Sequence, residues 1–452
     1  MSRLTATMTS PAARIVVLLS LPFLNLLFPS IAHAVPSMAR QTGMQCAGCH
    51  TVFPELTPFG RQFKLRGFAM STPKPDDAPF YDKIPVSGLF QVSNTATKNT
   101  GTDGATPDDF PKNKETIIQA AGIYYGGKIT NKSGALVQYN YDGVENKWAL
   151  EMADIRYADS ATLGKELVYG FTMNNSPTLS DIYNSTPVWF SPHVDSVSVM
   201  PAAATVLDMS LSSQVGGVGA YGLWDNLVYG EVALYNTAAT GFYRFMAANV
   251  AVDNVVRGTA PYWRLALQRE EGPHSFEFGT YGMVTKLYAD PEDHSLGTNK
   301  FTDIGLDAQY QYIEGDHTFS TQATWIHEKQ QLNASFATGF ASNASDTLRT
   351  VKIDAHYAYR RTYGGMLQYF ATTGSSDDLK YNTGEPVMGS ANGSPNSKGW
   401  LAQLDYLPIQ NLKLSVRYTA YTQFNGAGTN YDGFGRNAKD NNSVFLLAWF
   451  LL

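Results

Sequence analysis

Leu348-Arg349-Thr350-Val351-Lys352-Ile353-Asp354-Ala355-His356-Tyr357-Ala358-Tyr359-Arg360-Arg361 is the stretch whose reading decides the fold. Val351, Ile353, Ala355, Tyr357 and Tyr359 alternate with Lys352, Asp354, His356, Ala358 and Arg360. A period of two places the first set on one face of a β-strand and the second on the other. The rhythm recurs at 262–270, where Trp263, Leu265 and Leu267 alternate with Arg264, Ala266, Gln268 and Glu270. It recurs again at 303–312 (Ile304, Leu306, Ala308, Tyr310, Tyr312) and at 411–421 (Leu412, Leu414, Val416, Tyr418, Ala420). A soluble sandwich alternates as well, so segment and loop lengths have to separate the two.

Sixteen such segments are expected, at 84–98, 115–128, 133–142, 147–158, 164–174, 210–224, 227–238, 261–270, 274–288, 301–314, 317–330, 348–361, 362–374, 398–408, 411–424 and 442–452. Each is long enough for a tilted bilayer-spanning strand. Short turns fall near 129–132, 159–163, 225–226, 271–273, 315–316, 361–363 and 409–410. Longer loops fall at 99–114, 175–209, 239–260, 289–300, 331–347, 375–397 and 425–441, with one short exception near 143–146. Short turns at one end and long loops at the other are the layout of an outer-membrane barrel. Sixteen strands leave an aqueous lumen. The run Ser443 to Leu452 is apolar on both faces and predicts the closing strand. Whether loop 175–209, with Trp189, Phe190 and His193, constricts the lumen is left open by the sequence.

Composition agrees. Charged residues make up 16% of the 452-residue chain and aromatics 13%, with 26 Tyr and 39 Gly. Soluble domains average about 25% charged residues. Beyond residue 31 no apolar run reaches the length of a membrane-spanning helix. The net charge of −6 and the export expected from the N-terminus both argue against nucleic acid as a partner.

At the N-terminus Arg3 and Arg14 precede an apolar stretch from Ile15 to about Ile31 that ends in Ala32-His33-Ala34. That order predicts a secretory signal peptide over 1–34. The two cysteines of the chain then sit in Cys46-Ala47-Gly48-Cys49-His50. C-x-x-C-H is the spacing of covalent c-type haem attachment: two thiols meet two vinyl groups, and the next residue offers its imidazole to the iron. A redox pair or half a zinc site are the alternatives, but no second Cys pair is present. The motif predicts one haem c on Cys46 and Cys49 with His50 as proximal ligand. Met38, Met44 and Met70 are the local thioethers, and Met70 is the candidate distal ligand because the chain between it and His50 can fold back. Arg61, Lys64 and Arg66 are candidates to neutralise haem propionates or are solvated helix charges.

The segment 35–70 is too short to bury a core alone. It is expected to be housed in the barrel lumen or to face the periplasm, joined by a Pro- and Asp-rich linker at 71–83 to a barrel over 84–452. The expected fold class is therefore all-β, a sixteen-stranded antiparallel outer-membrane β-barrel with a small N-terminal c-type haem segment. Outer loops offer Asp108-Asp109, Asp290-Pro291-Glu292-Asp293-His294 and Asp377-Asp378 as carboxylate and imidazole ligands, or as plain solvated acids. Lys352, Asp354, His356, Arg360, Lys413 and Arg417 are lumen candidates that bind the segment or line water.

This combination resembles the fused monohaem cytochrome–porins, the outer-membrane iron oxidases of Fe(II)-oxidising bacteria. The resemblance is carried by Ala39-Arg40-Gln41-Thr42-Gly43, the C-x-x-C-H motif and Pro54-Glu55-Leu56-Thr57-Pro58-Phe59-Gly60-Arg61-Gln62-Phe63-Lys64-Leu65. It covers roughly 35–70 closely and the barrel by architecture alone. It implies an Fe(II)-oxidising cytochrome with Fe(II) as electron donor and a periplasmic c-type cytochrome as acceptor. The competing expectations are an electron conduit for another extracellular donor or acceptor, and a solute porin with a structural haem plug.

Overall fold

The computed structural model describes residues 36–75, 77–98, 113–190, 192, 194 and 196–452. The expected signal peptide, Asp108, Asp109 and His193 lie outside the described residues. Sixteen strands form one closed antiparallel barrel in which each pairs with its neighbours in sequence and β1 closes on β16. They are β1 Val86–Thr97, β2 Thr116–Thr130, β3 Ser133–Asp142, β4 Lys147–Leu163, β5 Lys165–Asn174, β6 Val215–Trp224, β7 Val228–Thr237 and β8 Ala260–Glu271. Then come β9 His274–Tyr288, β10 Thr298–Glu314, β11 His317–Gln331, β12 Ser345–Tyr359, β13 Tyr363–Gly374, β14 Ser397–Ile409, β15 Leu412–Gln423 and β16 Ser443–Leu451.

Burial is inverted relative to a soluble protein. Along β10, Ile304 and Leu306 are 49% and 40% exposed, whereas Asp303 and Asp307 are each 2% exposed. On β8 the outward residues are Trp263, Leu265 and Leu267, and the inward ones are Tyr262, Arg264, Ala266 and Gln268. An apolar outer belt around a polar interior is the surface of an outer-membrane barrel and excludes the soluble sandwich. No helix among the described residues is long and apolar enough to cross a membrane.

Most boundaries move by up to three residues, and two move by five. β4 runs on to Leu163, so the turn expected over 159–163 shrinks to Gly164, which sits at φ +69 between the paired Leu163 and Lys165. Glycine is the residue that adopts this conformation without strain. β6 starts at Val215 rather than 210, because 206–210 coils inside the lumen. There the Val206 amide donates to Glu328 Oε2 at 2.6 Å and the Leu207 amide to Asp303 Oδ2 at 2.9 Å.

The loop after β5 also turns inward. Leu179, Ile182, Tyr183 and Phe190 are buried. Asp181 is the hub of this fold-back: it accepts from the amides of Tyr183 and Ser185, each at 2.9 Å. Arg264 reaches from β8 to Asp181 at 3.3 Å, to Glu277 at 3.0 Å and to Asp307 at 2.7 Å, with all four side chains buried. The loop is thus anchored on the inner wall through partners the sequence places 83 to 126 residues away from Asp181 (264 − 181 and 307 − 181).

Candidate cofactor site in the barrel lumen

The segment 36–70 comprises three short helices: α1 Pro36–Thr42, α2 Cys46–Cys49 and α3 Pro58–Leu65. α2 is a single turn, closed by the His50 amide donating to Cys46 O at 2.9 Å. α3 begins at Pro58, a residue suited to the first helical position, and is capped by Thr57. The Thr57 hydroxyl accepts from the Gly60 amide at 3.1 Å and donates to Gly48 O at 2.6 Å, which ties α3 to α2. Gly60 lies so close to α2 that a Cβ there would meet Cys49 O at 2.2 Å.

Cys46 and Cys49 are unpaired, half-buried thiols. Burial raises both to about 11, so both are protonated at neutral pH. Redox-active C-x-x-C pairs lower a thiol's pKa instead, and this shift argues against that alternative. Burial pushes His50 down to about 4, against the opposing pull of the Glu55 and Pro54 carbonyls. Its Nδ1 stands 3.1 Å from Glu55 O. A carbonyl can only accept, so Nδ1 carries the proton and Nε2 keeps a free lone pair. A neutral imidazole oriented through its other nitrogen is the usual state of a metal-ligating histidine.

Cys49 and His50 face an apolar recess of about 810 Å³, walled by Met44, Phe63 and Phe68 from the segment and by Tyr124, Leu136 and Trp189 from the rest of the chain. Cys46 and His50 border a second space of about 1340 Å³ that reaches the short turns at Arg361 and Gln410. The apolarity of β16 on both faces now has a cause: its inward Phe445, Leu447 and Trp449 cluster with Leu89, Tyr124 and Phe53. Phe53 meets Trp449 edge to face at 4.9 Å. Two thiols on one turn, a neutral imidazole and an apolar space beside them fit a covalently bound haem c.

The segment is pinned to inward-facing barrel residues on several sides. Ser37 N bonds Ser87 Oγ at 2.9 Å, and Gln41 accepts from Lys128 N at 2.7 Å while donating to the Phe68 and Met70 carbonyls. Gln62 reaches Asn226 at 3.0 Å, in the short turn between β6 and β7. The segment therefore occupies the short-turn mouth of the barrel. Arg61 donates to Gln309 Oε1 at 3.0 Å, Lys64 to Asn184 Oδ1 at 2.8 Å and to two loop carbonyls, and Arg66 pairs with Glu166 at 2.9 Å. These three cations hold the segment in place, a role the sequence did not suggest for them.

Met70 does not line the recess; Met38, Met44 and Met152 do. Among the lumen candidates, His356 contacts the segment directly, with Nδ1 at 2.7 Å from Glu55 Oε1. Lys352 pairs with Asp208, Lys413 with Asp405, and Arg417 donates to Gln403 and Val194 O. Arg360 is exposed and pairs with Asp316. The outer acids structure their own turns: Asp290 and Asp293 accept from nearby amides, His294 stacks on Tyr288 at 3.8 Å, and Asp377 caps Lys380. Glu55 is the residue sequence reasoning passed over. Its only signal was position, a lone acid five residues after His50 in an otherwise apolar run.

Neither a protein-family model nor a curated protein sequence matches the chain. Solved structures similar to this chain include the following. The Salmonella typhi OmpF complex with daunomycin is 12% identical at a TM-score of 0.47, over 81% of this chain and 97% of that one. The outer membrane channel DcaP of Acinetobacter baumannii is 11% identical at 0.45, over 81% and 96%. The anion-selective porin from Comamonas acidovorans is 10% identical at 0.43, over 81% and 99%.

Proposed function

We propose that this chain is a cytochrome–porin of the bacterial outer membrane. Its lumenal segment carries one covalent haem c, takes an electron from extracellular Fe(II) and gives it to a periplasmic electron carrier. The observation that carries the reading is a C-x-x-C-H turn with a neutral, Nδ1-anchored His50, seated on an apolar recess that segment and barrel build together. A haem held there supplies a one-electron iron couple. The chain does the rest. Cys46 and Cys49 fix the group, Glu55 O orients His50, and Phe53, Leu136 and Trp449 keep water from its surroundings.

The placement suits a relay between two compartments. A further space of about 1730 Å³ runs from Phe53, Trp189 and Trp449 to Asp142, Glu145 and Asp253. Those acids belong to the long-loop end, and their charge favours an approaching cation. The segment itself lies at the opposite mouth, where a soluble carrier can dock. The test is anaerobic stopped-flow mixing of purified protein with Fe(II), following haem absorbance. Reduction within seconds is expected; no reduction across the working pH range would overturn the iron-oxidase reading. A solute porin with a structural haem plug predicts instead open conductance and a haem that Fe(II) leaves oxidised.

A further inference from the structure

Behind His50 lies a second constellation that attachment of a haem does not use. Glu55, Asp354 and His356 each present a ligand atom within 4.8 Å of the others. Their exposures are 2%, 2% and 6%. Glu55 comes from the segment, whereas Asp354 and His356 stand two residues apart on the inward face of β12. One oxygen of Glu55 is fully engaged, since Oε2 accepts from the hydroxyls of Thr51 and Ser320. The other, Oε1, faces His356 Nδ1 at 2.7 Å without the alignment of a hydrogen bond. Asp354 Oδ1 lies 3.9 Å from the same nitrogen and has no hydrogen-bond donor.

Two buried carboxylates against one imidazole leave the cluster short of positive charge. Lys413, which shares a recess of about 350 Å³ with His356, is committed to Asp405 at 3.3 Å. Buried charges are tolerated when paired or when they coordinate a metal. Carboxylate and imidazole donors together suit divalent first-row ions such as Fe(II) and Mn(II).

We propose that Glu55, Asp354 and His356 form a binding site for a divalent first-row transition cation, Fe(II) in the working protein. As a cation site it stands on this geometry; as the place from which the electron leaves Fe(II) it rests on the function proposed above. The site lies close to the long-loop space: His356 borders a narrow recess, and Phe53, Val194 and Trp449 stand between that recess and the acid-lined space. The site also has a short route onward: the residue whose carboxylate would hold the cation offers its own carbonyl to His50 Nδ1. Substrate and proximal ligand would then be joined through Glu55 alone.

Mn(II) is the probe, because its EPR signal reports binding without any electron transfer. Titration of the purified full-length protein in detergent should remove about one equivalent of free Mn(II) signal. Fe(II), added anaerobically to protein already reduced with ascorbate, should displace the Mn(II) at lower concentration, following the order of divalent affinities. Asp354→Asn and His356→Gln should each weaken binding about tenfold or more, whereas Asp290→Asn on the outer loop should not. Heat-modifiable migration of the barrel checks that each variant folds. Absence of saturable binding, or binding indifferent to both inner variants, overturns the site. Haem content is read on the same preparations. Haem present without Mn(II) binding sinks the cation site alone, and Mn(II) binding without haem sinks the electron-transfer reading alone.

Discussion

At the scale of single residues, His50 carries the clearest acid–base consequence. Its value of about 4 lies below the ordinary 6.5. A base depressed in this way adds stability that is fully present above pH 6.5 and is lost as pH falls toward about 4. In the Cys46→Ser/Cys49→Ser chain, which can attach no haem, protection of the segment from protease should therefore fade across that window and hold steady above it. Protection independent of pH between 4 and 7 would contradict the assignment. Gly60→Ala probes the contact of α3 with α2. A methyl group cannot fit 2.2 Å from Cys49 O, and overpacking of this kind costs about 1–3 kcal/mol. The expected result is a lower ratio of haem to barrel, read from the Soret band, with the barrel itself intact. The distal ligand is assigned by comparing Leu substitutions at Met38, Met44, Met70 and Met152. Thioether ligation raises the potential of a haem, so the variant that removes the ligand lowers it and the other three leave it unchanged.

At the scale of elements, what could be read from the sequence tracks the range of the interactions involved. The strands were legible because alternation is local: β3 Ser133–Asp142 and β9 His274–Tyr288 fall where the pattern puts them. β16 broke the pattern for a reason no local rule contains, namely that its inner face walls a recess. The inward fold of loop 175–190 was illegible for the same reason, since Asp181 finds its counter-charge on Arg264, and Glu55 finds His356 some 301 residues further on (356 − 55). The C-x-x-C-H turn could be read because it lies within five residues; its surroundings could not. Arg264 gives the loop a direct test. Removing one partner from a buried ion cluster costs about 3–5 kcal/mol, and Arg264→Met would strand Asp181, Glu277 and Asp307. The loop should come loose, and single-channel conductance in planar bilayers should rise above that of the parent protein. Equal conductance would mean that the loop is not what narrows the lumen.

At the scale of the whole molecule, segment and loop occupy one lumen and hold each other: Asn184 donates to Pro54 O at 2.8 Å, and Lys64 bonds back to Asn184. Proteoliposomes carrying the intact protein should accordingly swell slowly in small sugars, and a chain lacking residues 36–70 should let them swell fast. The seam between β1 and β16 adds a consequence for assembly. Leu89 on β1 pairs with Leu451, and Trp449, two residues before it, packs on Phe53. Trp449 and Leu451 also line the second space, the one that Cys46 and His50 border, so one wall of that space does not exist until the last strand meets the first. A chain stalled short of closure has the C-x-x-C-H turn that would tether the proposed haem but lacks that wall around it. If the proposed haem is bound there, completion of the barrel in the membrane and its protection from water become a single event, and a defect in either should register in both.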